Sequence, residues 1–199
     1  MSAPTHGTWR EGPVVIVTGL RAEVTDHWQS HLVRDLTGEH VAAEVADSFD
    51  RAPSDLDGRV ADLQGILTGL GEPATIVAHS AGALVTAHWA ERHGTSVPVR
   101  GALLATPPDL ARELPAAYPT LRELAEAGWL PVPQQRLPFP SVVAVSDDDA
   151  LGDPARVRAL ADAWGSGIEE LGAVGHLNPA SGFGRWPGAT AVLDRLDAR

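Results

Sequence analysis

The 199-residue chain carries 15 basic and 26 acidic residues, so its formal net charge at pH 7 is −11. This acidic balance argues against a nucleic-acid or anionic-membrane partner, because both ligands attract basic surfaces. The sequence contains no cysteine, which excludes disulfides, thiolate metal ligands and a cysteine nucleophile.

The length suits one domain with a sizeable core, and we assign residues 1–199 to it. The first residues, "MSAPTHGTWREGP", lack the basic start and apolar core of a secretory signal. No apolar run approaches the roughly 20 residues that a membrane-spanning helix needs. We therefore expect a soluble, cytoplasmic protein that does not associate with membranes.

Short apolar runs alternate with helical patterns along the chain. In chain order they predict a strand at 14–18, a helix at 26–36, a strand at 40–45, a helix at 55–70, a strand at 75–78, a helix at 81–92, strands at 101–105 and 141–145, a helix at 154–164, a strand at 168–171 and a helix at 189–196. Such alternation implies a parallel sheet covered by helices on both faces. The predicted fold class is α/β, as a three-layer α/β/α sandwich.

The interval between the fourth and fifth predicted strands, residues 106–140, is unusually long and contains eight prolines. Connections in compact domains are usually much shorter, and long ones are often lids or binding loops. We therefore expect a lid-like or binding insertion at 106–140.

Ser80 stands where the predicted third strand passes into a helix, within "VAHSAGA". A serine nucleophile on such a sharp turn needs small neighbours two positions away, as in the motif G-x-S-x-G. Here those neighbours are Ala78 and Gly82, so alanine replaces the first glycine. The alternative is that Ser80 only caps the helix, since serine is a favoured N-cap residue.

A serine nucleophile needs a histidine to accept its proton and an acid to orient that histidine. The segment "SDDD" follows the fifth predicted strand, and "GAVGHLN" follows the sixth, so an acid and His176 lie at the same sheet edge as Ser80. The glycines around His176 predict an exposed loop histidine. His79 adjoins Ser80, and we expect its side chain to point away from the site.

His27 and His31 are spaced i, i+4 on a predicted helix, which is compatible with metal binding. No third ligand is apparent in the sequence, so we interpret them as two surface histidines and predict no metal site. The sequence also lacks a dinucleotide fingerprint and a G-K-[ST] phosphate loop, so we predict no cofactor.

Four segments resemble the α/β-hydrolase superfamily, and more narrowly the small serine hydrolases of the retinoblastoma-binding protein nine type. They are "VVIVTGLRAEVTDHWQSHL", "TIVAHSAGA", "LPFPSVVAVSDDDA" and "LADAWGSGIEELGAVGHLNPASGFGRWP". The resemblance implies a reduced α/β-hydrolase fold with about six mostly parallel strands. It places the second strand at one edge, the first beside it, and the third to sixth in sequence.

The resemblance also implies the roles of the site residues. Ser80 corresponds to the nucleophile and His176 to the general base. The acid corresponds to Asp149, although Asp148 stays open because alanine replaces the proline that follows the acid in the family. The backbone amides of Leu20 and Ala81 would form the oxyanion hole.

These residues predict hydrolysis of a carboxylic ester of a small molecule, or of an amide or thioester, through an acyl-enzyme. Tyr118, Trp129 and Leu130 of the insertion are candidate walls of the substrate pocket, or Trp129 and Leu130 simply pack the insertion onto the domain. One alternative function is a non-catalytic binding protein with a protein partner. Another is a biosynthetic enzyme that forms or opens a lactone at the same site.

Overall fold

The computed structural model describes residues 8–20, 26–46, 52–94 and 96–196. The strands are β1 Val14–Val17, β2 Ala43–Ala46, β3 Ala74–His79, β4 Val99–Ala105, β5 Ser141–Val145 and β6 Gly167–Glu170. The α-helices are α1 Trp28–Gly38, α2 Leu56–Leu70, α3 Ala81–His93, α4 Leu121–Glu126, α5 Pro154–Trp164 and α6 Ala189–Leu196.

The six strands form one parallel sheet in the order β2-β1-β3-β4-β5-β6. This is the order predicted from the sequence, with the second strand at the edge. The order reverses direction at β1, and ligand crevices form at such switch points beyond the carboxyl ends of the strands. The fold therefore prepares a crevice where β1 and β3 end.

The sheet divides the core into two layers, because successive side chains of a strand face opposite sides. Val15 and Val17 of β1 pack with α2, α3 and α5, whereas Val14 and Ile16 pack with α1 and α6. Strands buried on both faces read as continuous apolar runs rather than alternating ones. This explains why "VVIV" predicts the first strand.

Local capping explains several helix boundaries. Asp55 accepts a hydrogen bond from the Gly58 amide before α2, and Asp153 accepts one from the Arg156 amide before α5. Pro154 occupies the first turn of α5, where its missing N–H has no cost. The helix at 154–164 therefore begins and ends as predicted.

The predicted strand at 40–45 is displaced, since β2 begins only at Ala43. His40 adopts a left-handed conformation with φ 62°, and the Val41 amide still bonds the Leu36 carbonyl of α1. These residues therefore complete the end of α1. The insertion at 106–140 contains α4, which starts with a capping box between Thr120 and Glu123.

Within the described residues, the structure has no helix both long and apolar enough to cross a bilayer.

Candidate active site

Ser80 occupies the turn between β3 and α3 in a strained conformation, with φ 57° and ψ −129°. Its side chain makes no capping hydrogen bond to the helix. Instead, the Ser80 Oγ atom lies 2.8 Å from Nε2 of His176. The hydroxyl is therefore hydrogen-bonded to His176, and Ser80 does not cap α3 through its side chain. Strained backbone of this kind costs about 1–3 kcal/mol and concentrates at functional sites.

The turn is tight because two glycines bring backbone close to Ser80. A Cβ atom on Gly82 would lie 2.4 Å from the Val17 carbonyl oxygen and 2.7 Å from that of Thr18. A Cβ atom on Gly19 would lie 3.2 Å from Cβ of Ser80. The end of β1 is therefore pressed against the start of α3, with Ser80 between them.

His176 lies in the loop after β6, where its ring meets Ser80 through Nε2 and Asp149 through Nδ1. The Nδ1 atom is 2.8 Å from Oδ2 of Asp149 and 2.9 Å from Oδ1. The prediction that this histidine is exposed is wrong, since only 5% of it is accessible. The loop that follows covers it, and the Ser181 hydroxyl accepts the His176 amide.

The three consecutive aspartates have three different contacts. Asp149 faces His176, and its Oδ1 also accepts the Leu151 amide at 2.8 Å. Asp148 accepts hydrogen bonds from the Ser146 hydroxyl at 3.0 Å and the Gly175 amide at 2.7 Å. Asp147 pairs with Arg158 on the surface. The geometry thus selects Asp149 as the carboxylate that contacts the histidine ring.

The proton positions follow from the partners. An ionised carboxylate can only accept hydrogen bonds, so Nδ1 of His176 carries the hydrogen and donates it to Asp149. Its Nε2 atom is then an acceptor and receives the hydroxyl hydrogen of Ser80. This is the arrangement in which the serine proton can pass to the ring.

His79 lies beside these three residues, contrary to the expectation that it points away. Its Nε2–H donates to the His176 carbonyl oxygen at 2.9 Å, because a carbonyl can only accept. The His79 ring centroid is 5.0 Å from that of His176 and 4.6 Å from that of His27. Burial, followed by the neighbouring His176 and His27, lowers the pKa of His79 well below its usual value.

The alternation of β3 would have located His79. Val77 faces α1 and α6, so His79, two residues later, faces the same side. The histidine loop crosses that face, where Leu177 joins the same core. His27 and His31 have different partners: Nδ1 of His27 accepts the Gln29 amide, whereas Nε2 of His31 contacts the Asp26 carboxylate.

A cavity of about 480 Å³ opens beside Ser80 and His176. Its lining includes Leu20, the predicted oxyanion-hole residue, and Tyr118 of the insertion. The sequence did not predict several other lining residues, which lie at the start of α1 and within it, on β2 and in the loop that carries His176. They are His27, Gln29, Ser30, Val33, Val45, Asn178, Pro179 and Ala180.

Trp129 and Leu130 lie elsewhere, so of the three predicted wall residues only Tyr118 lines this cavity. Trp129 is 1% exposed, and its indole N–H donates to the Ser54 carbonyl oxygen at 2.8 Å. Leu130 lines a separate surface cavity with Arg156 of α5. Both residues pack the insertion onto the domain, which was the other reading of their sequence.

Of the two predicted oxyanion donors, Leu20 lines the cavity and Ala81 directly follows Ser80. Ala81 is the first residue of α3, so its amide has no acceptor within the helix and lies at the positive end of the helix dipole. Leu20 follows Gly19, where an added Cβ would lie 3.4 Å from Ser80 Oγ. Residues 21–25, the rest of the predicted oxyanion loop, lie outside the described residues.

Three solved structures share this fold. A protein described as a YdeN-like hydrolase from Pectobacterium atrosepticum gives a TM-score of 0.76 at 24% identity, over 96% of this chain and 93% of that chain. The ydeN gene product from B. subtilis gives a TM-score of 0.74 at 23% identity, over 94% of this chain and 100% of that chain. A protein described as an α/β-superfamily hydrolase from Xanthomonas campestris pv. campestris gives a TM-score of 0.59 at 18% identity, over 96% of each chain. The predicted reduced α/β-hydrolase fold is confirmed.

No curated protein matches the sequence. The sequence profile of the serine hydrolase family, in contrast, matches residues 14–195, which include all six strands, α1 to α5 and all but the last residue of α6. The chain therefore belongs to the serine hydrolase family.

Proposed function

We propose that this chain hydrolyses a carboxylic ester of a small molecule through an acyl-enzyme formed on Ser80. One observation carries the proposal: an unbroken chain of hydrogen bonds runs from Ser80 Oγ through the His176 ring to Asp149, at the wall of a cavity. Within the family, the four segments that resemble the retinoblastoma-binding protein nine type favour that group.

In the first half of the reaction, Ser80 Oγ attacks the ester carbonyl carbon while its proton moves to Nε2 of His176. A C–O bond forms, and the carbonyl π electrons move onto oxygen. The tetrahedral intermediate then collapses, the bond to the leaving alcohol breaks, and His176 gives its proton to that alcohol. The product is an ester between the acyl group and Ser80.

In the second half, a water molecule replaces the alcohol. It transfers a proton to His176 as its oxygen attacks the acyl carbon, and the second tetrahedral intermediate expels Ser80 Oγ, which regains that proton. The carboxylic acid leaves, and the enzyme returns to its starting state. Asp149 stays ionised throughout and stabilises the imidazolium form of His176.

The negative oxygen of each intermediate would be bound by the amides of Leu20 and Ala81. Such donors are already oriented before the reaction, so they stabilise charge that develops only in the transition state. The dipole of α3 adds to this stabilisation because its positive end faces the site. The same machinery could open an amide or a thioester. We propose the ester over the amide because resonance with nitrogen makes the carbonyl carbon of an amide less electrophilic.

Covalent labelling tests the nucleophile directly. We expect a fluorophosphonate to add one adduct to the wild type, seen by intact mass, and none to Ser80→Ala. Ser96→Ala is the matched control, because this exposed serine follows the opposite end of α3. Failure of the folded wild-type protein to take up the label would refute the proposal.

Turnover tests the substrate class. We expect p-nitrophenyl acetate and butyrate to be hydrolysed by the wild type and Ser96→Ala, with losses of about 10⁴-fold or more in Ser80→Ala. Parallel assays with an anilide and an acyl thioester rank the leaving groups. Equal ester turnover in wild type and Ser80→Ala would assign the activity to a contaminant and contradict the mechanism.

A further inference from the structure

Arg59 is a charged residue inside the protein, close to the end of β1. It lies in the first turn of α2, and only 8% of it is accessible. Its Nη1 atom donates a hydrogen bond to the carbonyl oxygen of Gly19 at 3.2 Å. Burial of a guanidinium is costly unless it is hydrogen-bonded. The hydrogen bond from this buried cation to the Gly19 carbonyl therefore invites a functional explanation.

The carbonyl that Arg59 contacts belongs to the same peptide unit as the Leu20 amide. A trans peptide is planar, and its C=O and N–H bonds point in opposite directions. Fixing the Gly19 oxygen on the α2 side therefore fixes the direction of the Leu20 N–H. The register of β1 with β3 ends at Val17 and Ala78, so sheet hydrogen bonds of this pair do not extend to Gly19.

The hydrogen bond also strengthens the amide as a donor. A cationic donor on the carbonyl polarises the peptide, and hydrogen bonds in series reinforce one another at low dielectric. Gly19 is well placed to transmit the effect, since a Cβ at that residue would lie 3.4 Å from Ser80 Oγ. The peptide is thus held between the guanidinium and the nucleophile.

We propose that Arg59 is a positioning residue of the oxyanion hole: it orients and polarises the Gly19–Leu20 peptide so that the Leu20 amide stabilises the tetrahedral intermediate. The inference rests on the proposed function, and it adds a cation that acts through the backbone without touching substrate. Because the interaction matters only when negative charge develops, loss of Arg59 lowers kcat and leaves KM nearly unchanged.

The main test is Arg59→Gln, whose shorter side chain lacks both the charge and the reach. We expect kcat on p-nitrophenyl butyrate to fall about 10-fold to 100-fold, with KM within about twofold of wild type. The rate of fluorophosphonate labelling should fall in parallel. The control is Arg92→Gln, because Arg92 of α3 pairs on the surface with Asp57, which lies in α2 as Arg59 does. Its kinetics should match the wild type.

Chemical rescue separates positioning from support of the fold. Guanidinium or methylguanidinium at low millimolar concentration should restore part of the activity of Arg59→Ala and none of that of Ser80→Ala. If neither neutral variant folds, as judged by circular dichroism, Arg59→Lys is used. Lysine presents a point charge rather than a planar fork, so we expect at least a threefold loss in kcat at constant KM.

The outcomes distinguish the two proposals. A wild-type protein that takes no label and turns over no ester refutes the proposed function. A wild type that is labelled, together with any folded Arg59 variant labelled at the same rate and with the same kcat, overturns the role of Arg59. A variant whose loss appears in KM alone, with no rescue, also overturns it.

Discussion

Replacing Gly82 by alanine tests how tightly the turn at Ser80 is packed. The added Cβ would lie 2.4 Å from the Val17 carbonyl oxygen and 2.7 Å from the Thr18 carbonyl oxygen. Real Cβ contacts essentially never fall below 3.0 Å, so α3 must move away from β1 by at least the missing 0.6 Å. Both opposing atoms are backbone carbonyl oxygens, one on the last residue of β1 and one on the residue after it, so no flexible side chain can absorb the shift.

The size of the effect follows from two opposing terms. Overpacking costs about 1–3 kcal/mol, and the rigid surroundings place this site near about 3 kcal/mol. Alanine also favours the helix over glycine by about 1 kcal/mol. We therefore expect Gly82→Ala to lose about 2 kcal/mol in free energy of unfolding, and Tm to fall by about 4–8 °C.

The matched control is Gly65→Ala, in the exposed middle of α2, where a Cβ would meet nothing within 4 Å. Only the helix-propensity term applies there, so this variant should gain about 0.5–1 kcal/mol. Urea unfolding of both variants measures the contrast. A Gly82→Ala protein as stable as Gly65→Ala would show that the close approach of α3 to β1 is not required.

Three further predictions concern Ser80 and the residues around it. Asp149→Asn should lower ester turnover by about 10³-fold or more, whereas Asp148→Asn should cost less than about tenfold; the reverse ranking would make Asp148 the acid. Ser80→Gly should be about 1 kcal/mol more stable than Ser80→Ala in urea, because relief of the strained backbone outweighs the flexibility of glycine, and equal midpoints would contradict the strain. Finally, the lowered pKa of His79 means that the folded state resists its protonation, so its contribution to stability is full above pH 6.5 and is lost as pH falls through the folded pKa. The urea midpoint of His79→Gln should therefore fall less than that of the wild type between pH 7.5 and 5, and parallel curves would refute this linkage.

The fold was largely predictable because its elements are specified locally. The apolar run of β5 and the Pro154 start of α5 need no tertiary information, and both boundaries agree with the structure. The start of β2 was misplaced because residues 40–42 are alternatively a strand or the end of a helix. The left-handed turn at His40 decides between them, and that conformation depends on how α1 packs.

The site was predictable only in part, since residue type and chain order do not specify direction. A tryptophan in a proline-rich insertion looks the same in sequence whether it faces a cavity or the core. Trp129 faces the core because its indole N–H finds the Ser54 carbonyl there, a partner 75 residues away. Only the folded chain provides such a contact.

Asp148 and Asp149 are adjacent in the sequence but make different contacts in the structure. Asp148 accepts the Gly175 amide, which anchors the loop that carries His176 directly beside it. Asp149 then needs only to meet the ring, which it does through both carboxylate oxygens. Two neighbouring carboxylates thus act on one histidine, the first through the backbone of the preceding residue, Gly175, and the second through the histidine ring itself. The first contact is to a backbone N–H, which every residue except proline possesses, so the sequence of the histidine loop carries no sign of it. The two aspartates could therefore not be separated before the loops after β5 and β6 were seen together.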